Sequence, residues 1–166
     1  MFRLPLRLEK KLQELFPNAK ERDRFIVEAL ESALEKEGAG DPASALGVGG
    51  TLHLFTDGRD TLQIEAAKFL GSLEERIQIK YPFVKIASII GRKFAMDRDG
   101  HWDRTEAAYR LFTEGQGAPF SKASDFVEAG YSAGLNDETI GPGYATDDAG
   151  GILGRISEGD AVIFFN

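Results

Sequence analysis

The run Val84-Lys85-Ile86-Ala87-Ser88-Ile89-Ile90 is apolar almost without interruption and carries three isoleucines and a valine. A strand with one solvated face alternates apolar and polar residues. A run that does not alternate belongs to a strand buried on both faces of a parallel sheet. Outward from it the period changes to that of helices. Leu62–Lys80 places Ile64, Ala67, Leu70, Leu73 and Ile77 on one face, and Trp102–Thr113 offers Trp102, Ala108, Tyr109 and Phe112 for packing. Thr51–Thr56 and Ala161–Phe165 have strand character, and Ser124–Ala133 predicts a shorter helix. Strand–helix–strand order implies right-handed crossovers and a parallel sheet. Asn136–Gly154, rich in Gly, Asp and Thr, predicts a long loop or a short hairpin. The fold class is α/β, without internal repeats.

In front of this region the pattern differs. A short apolar start, Phe2 to Leu6, precedes a helical segment with Leu8, Leu12, Leu15 and Phe16 on one face. After a break at Pro17-Asn18, a second helix is expected from about Lys20 to Glu37, with Phe25, Ile26, Ala29, Leu30, Ala33 and Leu34 at helical spacing. Residues 38–50 are dominated by Gly and Ala, the composition of a flexible linker. The expected organisation is a strand–helix–helix unit at 1–38, a linker at 39–50 and an α/β domain at 51–166.

The chain of 166 residues suits one domain, or one with a small appendage, and its 42% hydrophobic and 28% charged residues are ordinary for a globular protein. With no cysteine, disulfides and thiolate metal sites are excluded. No apolar run approaches the ~20 residues of a membrane span, and the charged N-terminus is no signal peptide. The net charge of −7 is uneven: residues 1–38 hold eight basic and eight acidic residues, so the whole excess lies in the remainder. A negative body argues against a broad nucleic-acid surface, while leaving room for a local anion site.

Two arginine–aspartate runs follow strand candidates: Asp57-Gly58-Arg59-Asp60-Thr61, and Gly91-Arg92-Lys93-Phe94-Ala95-Met96-Asp97-Arg98-Asp99 leading to Trp102-Asp103-Arg104. Arginine offers a rigid fork of donors that grips phosphate at two points. Loops at strand C-termini are where open α/β sheets bind ligands. The plainer reading is a turn at Asp57-Gly58 and a solvated, salt-bridged loop after Gly91. His53, inside a strand pattern, reads as a packed core residue and His101 as a surface one.

These strings, with His53 to Thr61, Trp102-Asp103-Arg104-Thr105 and Gly159 to Asn166, resemble the substrate-binding domain of the cofactor-independent, metal-dependent phosphoglycerate mutases. The resemblance runs from about Gly47 to Asn166. It implies a three-layer-like, parallel-sheet fragment of that domain and a cytoplasmic glycolytic isomerase. It also implies that Arg59, Asp60, Arg92 and Arg98 contact 2- or 3-phosphoglycerate, with Asp97, Asp99 and Arg104 bracing the loop. Lys93 stands where the family often has an aromatic residue. In the full-length family two Mn²⁺ ions activate a nucleophilic serine, but these belong to another domain with no counterpart here. The expectation is therefore a chain with no cofactor of its own, inactive in isolation, with unpaired sheet edges that favour homo-oligomers. The unit at 1–38 resembles ribbon–helix–helix proteins, which predicts as the alternative a dimeric DNA binder with Arg3 and Arg7 near its strand.

Overall fold

The computed structural model describes residues 50–160 together with Val162 and Phe164. The expected strand–helix–helix unit at 1–38 and the linker up to residue 49 lie outside the described residues. So does the expected strand Ala161–Phe165, apart from Val162 and Phe164.

The described region is α/β. Strand β1 (Gly50–Thr56) leads through helix α1 (Ala66–Lys80) to strand β2 (Val84–Gly91). The short helix α2 (Arg92–Ala95) and helix α3 (Trp102–Glu114) follow. Strand β3 (Ala118–Phe120), helix α4 (Ala123–Ser132), a 3₁₀ turn (Asp137–Thr139) and strand β4 (Gly143–Ala145) complete it. The sheet order is β1-β2-β4-β3.

β1 pairs parallel with β2 from Gly50↔Val84 to Thr56↔Gly91, with one irregularity between Leu52 and His53. β3 and β4 are also parallel, but β4 runs antiparallel to β2 through Ser88↔Tyr144 and Ile89↔Gly143. The expectation of a purely parallel sheet is thus corrected: the Gly/Asp-rich stretch folds back and inserts a strand between β2 and β3. Neither short strand announces itself in sequence, because three residues are too few to show a period.

The unalternating run of β2 is buried on both faces, as its composition requires. Ile89 packs with Ala67 and Leu70 of α1, Phe120 of β3, and Ala123 and Val127 of α4. Its neighbour Ile90 faces the opposite side, with Ala108 and Leu111 of α3 and the partly buried Phe55 and Phe112. Helices therefore cover both faces of the sheet, α1 and α4 on one and α3 on the other. The two helices on the shared face are also tied end to side. Glu74 of α1 accepts from the Ala123 amide at 2.6 Å and the Ser124 hydroxyl at 2.7 Å, satisfying the start of α4.

Three side chains depart from expectation. Ile64 precedes the helix rather than joining it and is 65% exposed. Trp102 and Tyr109 lie on the outer side of α3, 78% and 64% exposed. The α3 face that packs is the one bearing Ala108 and Leu111.

Candidate functional site

Because Thr56 and Gly91 are register partners, β1 and β2 end side by side and release their arginine-bearing segments at the same sheet end. The first segment is a tight turn. Asp57 Oδ2 accepts from the Asp60 amide at 2.9 Å, and Gly58 takes a φ of 70°, the left-handed region that glycine enters without a Cβ penalty. The second segment turns at once into α2, with Arg92 as its first residue.

The guanidinium of Arg92 bridges back across the gap. Its Nη1 donates to Asp57 Oδ1 at 2.5 Å and to Asp60 Oδ2 at 2.6 Å. Its side chain is 12% exposed, so the pair of aspartates holds a largely shielded cation. Asp60 and then Asp57 push the Arg92 pKa up. Burial alone would raise the Asp57 carboxyl; the bonds from Arg92 and the Asp60 amide outweigh it and bring the group below its usual value.

Arg59 points elsewhere. Its Nε and Nη2 lie 2.6 Å and 2.5 Å from Glu138 Oε1. Its side chain remains 60% exposed, and Glu138 raises its pKa. Arg98 is exposed and, among the described residues, has no hydrogen-bond or ion-pair partner. The structure thus joins Arg59, Asp60 and Arg92 into one region with Asp57 and Glu138, and leaves Arg98 outside that network.

The loop beyond α2 is organised by Asp97, whose side chain is nearly buried. It accepts from the amides of Asp99 and His101, from His101 Nδ1 at 2.9 Å and from Arg104 Nη1 at 3.2 Å. Asp97 and Arg104 brace the loop as expected, and His101 is a surface residue recruited into it. Burial would raise the Asp97 pKa, but the His101 backbone and ring bonds lower it overall.

Beneath both arginine loops lies a segment that the motifs do not reveal, Asn136 to Ile140. Thr56 Oγ1 donates to the Asp137 carbonyl at 2.5 Å, and the Gly91 amide to the Ile140 carbonyl at 2.8 Å. The approach is close enough to exclude side chains. A Cβ on Gly58 would meet the Glu138 nitrogen at 2.7 Å, and one on Gly91 would run into the Glu138 carbonyl oxygen. The glycines of both motifs are therefore seats for one turn. The turn is fixed in its own right: Asn136 and Thr139 cap each other reciprocally.

Asp137, 1% exposed, ties the turn to α1. Its Oδ2 accepts from the Glu65 and Ala66 amides, each at 3.0 Å, and its Oδ1 from the Tyr131 hydroxyl. This remote carboxylate does the work of a local N-cap and sets the helix start at Ala66 rather than Leu62. The signal available in sequence was an Asn-x-x-Thr pattern at 136–139, a capping arrangement.

His53 is packed, as expected. Nδ1 lies 2.7 Å from Ser88 Oγ, and the ring stands edge-on to Phe112. Burial lowers its pKa against a weaker opposing pull from the Gly154 backbone.

The metal chemistry that the resemblance implies finds no fitting donors among the described residues. Among the described residues, one His/carboxylate group could gather on an ion, Asp97, Asp99 and His101. Both oxygens of Asp97 already serve backbone amides, His101 and Arg104. That set is one loop's internal brace, not a two-metal centre, which clamps two oxygens of a displacement. The Asp147-Asp148 pair is a turn, with Asp147 Oδ1 bonded to the Ala149 and Gly151 amides. A separate cleft between Glu74, Ile77, Val84, Phe120 and Leu153 lies at the opposite end of β2 and includes none of the arginines. No helix among the described residues is long and apolar enough to cross a membrane.

Comparison with known proteins identifies relatives of the chain. The family model described as BPG-independent PGAM N-terminus matches residues 21–166. A 2,3-bisphosphoglycerate-independent phosphoglycerate mutase of Methanococcoides burtonii is 42% identical over 118 residues, 69% of this chain and 22% of that protein. The enzyme of the same name from Flavobacterium psychrophilum is 38% identical over 169 residues, 95% of this chain and 33% of that one. Among solved structures, a Leishmania mexicana phosphoglycerate mutase crystallised at low cobalt concentration superposes with a TM-score of 0.61 at 28% identity. That match covers 67% of this chain and 22% of the other. The chain thus spans between about a fifth and a third of the length of these relatives. The family model and the Flavobacterium psychrophilum match reach well in front of residue 47, and no comparison supports the ribbon–helix–helix resemblance or a DNA-binding role. The chain belongs to the 2,3-bisphosphoglycerate-independent phosphoglycerate mutase family, in the region described as its N-terminus.

Proposed function

We propose that this chain binds 2- and 3-phosphoglycerate through the loops that follow β1 and β2, as the substrate-binding portion of a glycolytic mutase. Arg59, Arg92 and Arg98 supply the positive charge, and Asp60 accepts from a substrate hydroxyl. The observation that carries the reading is the convergence of Arg59, Asp60 and Arg92 at one sheet end, fixed by the Thr56↔Gly91 register. Two arginines, Arg59 and Arg92, face three carboxylates there: Asp57, Asp60 and Glu138. Both of these arginines are already paired, and the guanidinium of Arg98 is left unpaired among the described residues.

Phosphoryl transfer itself needs donors that the described residues do not assemble. The proposal is therefore binding without turnover by this chain alone. Mn²⁺, the phosphoserine chemistry and the cytoplasmic setting belong to the longer enzyme. Association of copies through the sheet edges is part of the same proposal.

Calorimetric titration of 3-phosphoglycerate into the chain and into Arg92→Ala and Arg98→Ala tests this. Each substitution should weaken binding by roughly tenfold or more, since a charge-assisted bond to phosphate contributes about 1.5–3 kcal/mol. Equal affinity in the unaltered chain and both variants would remove these residues from the site.

A further inference from the structure

We propose that Glu138 is a positioning residue that holds the side edge of the Arg59 guanidinium and thereby presents its outer edge to the phosphoglycerate anion, an inference that rests on the binding role proposed above. A guanidinium carries five N–H donors in a fixed plane. Two of its nitrogens, Nε and Nη2, converge on the single oxygen Glu138 Oε1, at 2.6 Å and 2.5 Å. That leaves the end-on pair, Nη1 with the outer hydrogen of Nη2, on a side chain that is 60% exposed. This end-on edge is one that binds a carboxylate or phosphate at two points.

The contact differs from an ordinary surface ion pair. Such pairs contribute little, because two flexible side chains must both be ordered. Here one partner is ordered already. Glu138 sits in a 3₁₀ turn locked by the Asn136–Thr139 caps and by the buried Asp137, and its side chain is only 22% exposed. The turn backbone is wedged against Gly58, the residue immediately before Arg59. Ordering falls on Arg59 alone, and it is met before any ligand arrives. A preorganised donor loses less on binding than one that must be fixed by the ligand.

The test is a nitrogen-15 spectrum of arginine side chains in the full-length chain, recorded with and without 3-phosphoglycerate, for E138A and E138Q. In the unaltered protein and in E138Q, which keeps the Oε1 acceptor, the Arg59 Nε–Hε signal should be resolved and slow to exchange with water. In E138A it should merge with those of freely moving arginines, and 3-phosphoglycerate affinity should fall about tenfold, with most of the loss restored in E138Q. Amide signals distant from the turn should stay in place in both variants. An Arg59 signal in E138A identical to that of the unaltered chain overturns the inference. So does tighter binding in E138A, which would make Glu138 a competing counter-ion. An unaltered chain that binds no phosphoglycerate sinks the binding role, while the Arg59 signal still reports whether Glu138 holds that side chain.

Discussion

The chemistry of individual residues in this region is decided by partners far away in the chain. Arg92 meets Asp57 and Asp60 across more than thirty positions, and Arg59 meets Glu138 across 79. The arginines and Asp60 were legible in sequence because they stand in dense strings at strand ends. Glu138 and Asp137 were not, since an isolated acidic pair in a Gly/Thr-rich loop has no local pattern to separate it from a solvated turn. Tyr131 gives a direct check on the buried Asp137 network. Burial, and then the bond to Asp137, raise its phenol from 10.0 to about 12. A folded-state pKa above the unfolded one contributes stability that is full below pH 10 and is lost as pH rises through about 12. Absorbance titration at the tyrosinate band should show one phenol ionising near pH 12 in the folded chain and absent in Tyr131→Phe. Co-titration of every tyrosine near pH 10 would contradict the network.

At the scale of elements, periodicity located the long pieces and missed the short ones. β1, β2, α3 and α4 lie where the apolar pattern puts them, within a residue or two. α1 starts late because Asp137, not a neighbouring residue, satisfies its first amides. β4 lies in the stretch read as a long loop or a short hairpin, and its pairing with β2 was not legible because Gly143-Tyr144-Ala145 is too short to display alternation. Its insertion beside β2 is what brings the Asp137–Thr139 turn under both arginine loops. Gly91→Ala tests that seating. Gly91 has a φ of −71°, which any residue adopts, so the effect is contact alone. The new Cβ would press on backbone oxygens of Glu138 and Ile140. Urea unfolding should show a loss of about 1–3 kcal/mol, the range for forced overpacking. Unchanged stability would mean that the turn is free to move away from β2.

For the molecule as a whole, the α/β class was readable from one unalternating strand flanked by helical periods, and burial of β2 on both faces justifies that reading. What composition could not give was the direction of the sheet's inner strands, because strand direction depends on how a loop returns and not on which residues are buried. The relatives it matches are longer proteins, of whose length the chain spans about a fifth to a third. The described residues gather Arg59, Asp60 and Arg92 at one sheet end, and the proposed phosphoglycerate binding is the activity to measure there. The most direct test is a two-dimensional NMR titration of the full chain with 3-phosphoglycerate at low salt. Binding at the arginine loops should give progressive shifts confined to Thr56–Thr61, Gly91–Asp99 and the turn at Asn136–Ile140. Shifts gathered instead around Glu74, Val84 and Phe120, or a spectrum that does not respond, would contradict it.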